Sequence, residues 1–208
     1  MVAGDGLEGL SMTRLAAAVD YTPGALYRYF DSKDAILSRL VERILEDVRA
    51  GLDRSLALLP AKASPLAHVV ALVDGYRAFA RAEPHRFGLL AMTMADPRVL
   101  LQQPKDAEPV ARAILAAMQP LGVALDQAAE AGQLSAGDVT ERTLCLFAML
   151  QGVLLLQKQA RRAPGVLDVD RLAIGGTRTL LVGWGAKPRA VDAAVARAIG
   201  GRRPGGAS

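Results

Sequence analysis

Aromatic side chains are scarce in this chain of 208 residues, at 4 %, with one tryptophan, four tyrosines and four phenylalanines. A core must therefore come from aliphatic residues, and a hydrophobic share of 51 % is ample for one. Cysteine is nearly absent. The single Cys145 excludes an internal disulfide, and nothing points to an oxidising compartment. Histidine occurs twice, as His68 and His85, and neither stands in a ligand spacing with Cys145, so no metal site is expected. Also missing are a paired acid and base, a Cys–His arrangement and a glycine loop of the phosphate-binding kind. These absences speak against an enzyme and against a cofactor. The longest apolar run, Leu144 to Leu156, is too short for a bilayer of about 30 Å. No stretch near Met1 has the pattern of a secretory signal. The expectation is a cytoplasmic protein with no membrane partner.

Helix formers outweigh β-branched residues in most windows, which predicts an all-α fold. The stretch from Ser11 to Phe30, SMTRLAAAVDYTPGALYRYF, holds two short helical patterns joined by a corner. Met12, Leu15, Ala16 and Val19 form one apolar face, with Ser11 in a capping position before it. Asp20-Tyr21 breaks the pattern. Thr22 offers a second cap, and Pro23 suits a first helical turn, where its missing N–H is no loss. Leu26 and Phe30 point the second helix inward. Thr22, Gly24, Ala25, Arg28 and Tyr29 lie on its outer face, small at the start, then polar, aromatic and basic. Such a face fits a DNA major groove about 12 Å wide.

In its order of residues this segment resembles the helix-turn-helix of the TetR family of bacterial transcription regulators. The resemblance rests on Leu10-Ser11-Met12-Thr13-Arg14-Leu15-Ala16, on Thr22-Pro23-Gly24-Ala25-Leu26-Tyr27-Arg28-Tyr29-Phe30, and on Ser32-Lys33-Asp34-Ala35-Ile36-Leu37. It implies phosphate contacts by Tyr27 and Lys33, with Ser11, Thr13, Arg14, Thr22, Pro23, Gly24, Ala25, Arg28 and Tyr29 as the other DNA-facing residues. It also implies a helix of roughly four turns ahead of Ser11, of which only Met1-Val2-Ala3 would remain before Gly4. Two readings stay open: a start upstream of Met1, or a true truncation. The second leads to an alternative function, a TetR-like helical module that has lost DNA binding and acts only as a ligand- or protein-binding dimer.

Charge alone would not have found this. The chain carries +4, yet residues 1–50 hold six basic and eight acidic side chains, a net of −2. The local placement of Arg14, Arg28 and Lys33 supports DNA binding, whereas the bulk balance does not.

Downstream, Ser32 caps a helix predicted to about Leu59, with Ile36, Leu37, Leu40, Val41, Ile44, Leu45, Val48 and Leu52 as its apolar stripe. The domains expected are 1–48 for DNA binding, 49–200 for effector binding and dimerisation, and 201–208 as a disordered basic tail. Pro60 to Pro65 is a loop. Helices follow from Ser64-Pro65 and from Pro84. A polar loop then runs to Pro109, overlapping the start of a helix from Asp106 to Glu130, which Pro120 should bend and Gly132 should end. Asp138 caps a helix to about Arg162, apolar almost all round from Leu144, which places Cys145 in a buried and inert setting. Asp168 opens another helix through Trp184, and Pro188 to Ile199 forms the last. Gly175-Gly176, unfavourable in a helix interior, fit a close neighbouring helix, as does Gly152.

The resemblance implies that 140–162 and 168–186 pair with a second copy as a four-helix bundle, with Gly152, Leu155, Gly176, Leu180 and Trp184 at the interface. The partners expected are therefore a double-stranded DNA operator, a second copy of the chain and an unidentified small-molecule effector. Tyr76, Phe79, Phe87, Leu90, Met94, Met118, Phe147 and Gln151 are the candidate lining of the effector pocket; each reads equally well as plain core.

Overall fold

The computed structural model describes Gly24 and residues 32–95, 104–162 and 165–200. Among them the chain forms eight helices and no strand. They are α1 (Lys33–Ala57), α2 (Pro65–Ala82), α3 (Pro84–Ala95), α4 (Pro104–Glu130), α5 (Val139–Leu155), α6 (Gln157–Arg162), α7 (Val169–Gly183) and α8 (Pro188–Gly200). The fold is all-α, as the composition predicted.

Two compact units emerge, one of residues 1–47 and 83–117, the other of 48–82 and 118–208. In the first, α1 opens on Ser32, whose Oγ accepts the Ala35 N–H at 3.0 Å. The apolar stripe of α1 is buried here at Ile36, Leu37, Val41, Ile44 and Leu45, while Leu40 is 36 % exposed. From α3, Phe87, Leu89, Leu90 and Ala91 join this core. Arg86 pairs with Asp47, and the buried Ser38 hydroxyl donates to the Asp106 carbonyl at 2.7 Å, tying α3 and α4 to α1.

The second unit is built around α2, whose residues from Val69 to Arg77 are all buried. It packs on α8, α7 and α5. Gly75 lets α1 pass close: a Cβ there would sit 2.5 Å from Ser55 Oγ and 3.3 Å from Leu52. α4 begins at Pro104, earlier than expected, because proline suits the first helical position. It runs unbroken through Pro120, which is buried. Beyond Glu130 the chain turns through Gly132 at φ 65°, and the N–H groups of Gln133 and Leu134 both return to the Ala128 carbonyl. Only a residue without a Cβ adopts that backbone freely.

Asp138 and Asp168 cap α5 and α7 as anticipated, each accepting a backbone N–H three residues on at 2.9 Å. The expected single helix to Arg162 is two: at Leu156 the N–H bonds to the Val153 carbonyl, a tighter turn, and α6 starts afresh at Gln157. At the far end of α7, Gly185 has φ 98° and a Cβ there would meet Ser135 Oγ at 2.2 Å. The Ser135 N–H bonds the Trp184 carbonyl at 2.8 Å, closing the loop before α5 onto the end of α7.

Candidate DNA-binding, effector and dimer sites

The sequence places the DNA-binding residues on two short helices, and most of them lie outside the described residues: Ser11, Thr13, Arg14, Thr22, Pro23, Ala25, Tyr27, Arg28 and Tyr29. Lys33 is the first residue of α1. Gly24 is helical and exposed, and a Cβ added to it would meet no described residue within 4 Å. Among the described residues, nothing requires a glycine there.

Among the candidate pocket residues, Phe87, Leu90 and Met94 belong to the first unit. Phe87 and Leu90 are buried there, and Met94 is 44 % exposed. Tyr76, Phe79, Met118, Phe147 and Gln151 belong to the second unit, and four of these come together. The Tyr76 ring stacks on Phe79 with centroids 6.2 Å apart and meets Phe147 at 5.9 Å. Its hydroxyl donates to Gln151 Oε1 at 2.7 Å, with both residues buried. Burial pushes the Tyr76 hydroxyl well above its ordinary pKa, and the bond to Gln151 offsets part of that rise. Met118 is half-buried.

One face of α5 is uncovered within the subunit. Leu146, Leu150 and Leu154 point inward and are buried, whereas Leu144 is 52 % and Leu155 48 % exposed, with Cys145, Ala148 and Gly152 exposed beside them. The expectation of a buried Cys145 is corrected: the cysteine lies on the open face. The apolar stretch is also longer than Leu144 to Leu156. Val139–Arg162 is long and apolar enough by composition to cross a membrane, with a mean hydropathy of 1.5 and 28 % of that window buried. On α7, Leu172 is 42 % exposed and Gly175 and Thr179 are exposed.

The glycines and large residues chosen for the dimer face behave differently from one another. Gly152 is open, with no described residue within 4 Å of a Cβ built on it. At Gly176 a Cβ would come 2.6 Å from Met149 Sδ of the same subunit. The close approach at Gly176 is thus between α5 and α7 within one chain. Leu180 and Trp184 are half-buried.

A buried charged group on α2 was not legible in the sequence pattern. Arg77, 8 % exposed, pairs with Asp74 on its own helix and with Asp170 of α7 at 2.6 Å. Burial lowers its pKa, but Asp74 and Asp170 more than reverse this, so the guanidinium stays charged. What the pattern does hold is an acid and a base three apart in an otherwise apolar run. Arg142 was not legible either. Also 8 % exposed, it lies over the Trp184 ring and donates to the Ser135 carbonyl at 2.7 Å.

Residues 2–40 match the family model described as bacterial regulatory proteins of the tetR family, and residues 69–180 match that of a tetracyclin repressor-like C-terminal domain. The chain belongs to the TetR family. As a TetR-family chain it is a transcriptional regulator, with the all-α fold and N-terminal helix-turn-helix of that family. Its backbone is similar to that of a TetR family transcriptional regulator, PfmR, from Thermus thermophilus. The TM-score is 0.66 at 18 % identity, covering 87 % of this chain and 92 % of that one. A protein of unknown function from Rhodococcus sp. RHA1 gives a TM-score of 0.69 at 24 % identity, over 88 % of this chain and 89 % of that one. The superantigen PfiT gives 0.62 at 24 % identity, over 86 % and 88 %. At such identities these likenesses concern the fold alone. No curated protein matches the TetR-family chain.

Proposed function

We propose that this protein is a ligand-responsive repressor that binds an inverted-repeat operator as a homodimer. Residues 1–48 form its DNA-binding domain and 49–200 its effector and dimerisation domain. The observation that carries this reading is the helix-turn-helix family match across residues 2–40, which continues into the Ser32-capped start of α1. A two-fold pair presents two recognition helices about 34 Å apart or a multiple of that, hence a palindromic operator. Gly24 and its neighbours approach the bases, while Tyr27 and Lys33 hold phosphates.

The uncovered apolar face of α5 and α7 supports a second copy as its occupant. A lipid surface fits less well, because the long apolar stretch carries Arg142 near its start and Lys158, Arg161 and Arg162 near its end, and its inner face already packs on α7 and α2. The aromatic cluster of Tyr76, Phe79 and Phe147 supports an effector of largely apolar character, recognised in the second unit. Such an effector releases DNA only if it binds the two conformations unequally.

The test is a gel-shift with the DNA upstream of the protein's own gene, at two salt concentrations. Specific retardation that weakens steeply with salt is expected. Lack of any retardation would favour a module without DNA binding.

A further inference from the structure

Asp74, Tyr76 and Arg77 occupy one turn of α2, and from this turn polar links reach both helices of the uncovered face. The Tyr76 hydroxyl holds Gln151 of α5, whose sequence neighbour Gly152 is on the open side. The Arg77 guanidinium holds Asp170, in the first turn of α7 and two residues before the exposed Leu172. Arg81, one turn further along α2, reaches the other oxygen of Asp170 at 3.4 Å.

These links tolerate little movement. Arg77 presents a rigid planar fork whose two terminal nitrogens are both engaged, one by Asp74 and the other by Asp170, so a shift of α7 must break the Asp170 pair. Losing Asp170 would leave a buried charge half-compensated, and losing Gln151 would remove the acceptor of a buried hydroxyl. The neutral link and the ionic link therefore fix α5 and α7 against the same short piece of backbone.

We infer that this turn of α2 is a positioning site for the dimer face: it sets the relative placement of α5 and α7, and so controls association between two copies without touching the partner. The inference rests on the homodimer reading. It adds a route by which events in the aromatic cluster around Tyr76 reach the partner subunit, since the same tyrosine belongs to both.

The test is sedimentation equilibrium of the full chain and of Tyr76→Phe, Asp170→Asn and Asp192→Asn, with circular dichroism to establish equal helicity. Asp192 pairs with Arg178 between α7 and α8 in an exposed setting and serves as the control. Tyr76→Phe and Asp170→Asn should each weaken association about fivefold or more, and Asp192→Asn should leave it within about twofold. A wild-type dimer whose association is unchanged in both test variants overturns the inference. Wild-type protein that sediments as a monomer instead removes the homodimer reading itself, and this inference with it. Asp170→Asn, at a half-exposed site, keeps the test decisive if Tyr76→Phe lowers helicity.

Discussion

The guanidinium of Arg142 lies 5.6 Å from the centroid of the Trp184 ring, joining the start of α5 to the end of α7. No carboxylate is among the partners described for this buried cation. It is held instead by the carbonyls of Ser135 and Ala136 and by the indole face. Because Trp184 is the only tryptophan, its fluorescence reads this contact directly. Arg142→Ala should shift the emission to longer wavelength and destabilise the protein by about 2–4 kcal/mol, the sum of a cation–π contact and charged hydrogen bonds. An unchanged spectrum and unfolding midpoint would contradict the assignment.

Gly24 separates folding from recognition. No described residue lies within 4 Å of its Cβ position, so Gly24→Ala should leave thermal stability unchanged or raise it, alanine being the better helix former by about 1 kcal/mol. Operator affinity should nevertheless fall about tenfold, because the added methyl keeps the recognition helix from its groove. Gel-shift titration beside a melting curve reads both quantities.

Arg77→Met isolates the buried ionic group. It takes from Asp74 its buried cation, and removing one member of such a pair costs about 3–5 kcal/mol. Urea unfolding monitored by circular dichroism should show this as a lower midpoint with an unchanged slope. Asp192→Asn, which breaks a fully exposed pair, should leave the midpoint where it is.

Two glycines on the α5–α7 pair should respond in opposite ways. Gly176→Leu drives its side chain into Met149 and should lower the stability of the single subunit. At Gly152 a Cβ meets no described residue within 4 Å, so Gly152→Leu should leave that stability intact while weakening self-association. Sedimentation velocity and thermal melts of the two variants, at matched concentrations, distinguish the effects.

Alkaline pH should probe Tyr76. Its hydroxyl ordinarily ionises at 10.0, and burial raises that value in the folded state. Between the two values the unfolded chain has lost a proton that the folded chain retains, so stability is full below pH 10 and falls as the pH rises above it. Tyr76→Phe should flatten this alkaline decline relative to wild type in urea melts taken from pH 8 to pH 11.

What the amino-acid sequence alone determined is local in origin. Helix starts at Ser32, Pro65, Asp138 and Asp168 follow from side chains that serve the free N–H groups of a first turn or lack an N–H themselves, and Gly132 ends α4 through its freedom at positive φ. The recognition motif was legible for a similar reason: it is a contiguous string. Tertiary structure decided the rest, because it depends on residues far apart in the chain. Periodicity marks Leu144 to Leu156 as apolar on all sides, but only packing shows Cys145 on the open side and Gly176 against Met149. No local pattern reveals that Arg77 is held by Asp170 or that Arg142 lies over Trp184. Such partners are chosen by how helices cross, and crossing depends on the shapes of whole faces, not on neighbours in sequence.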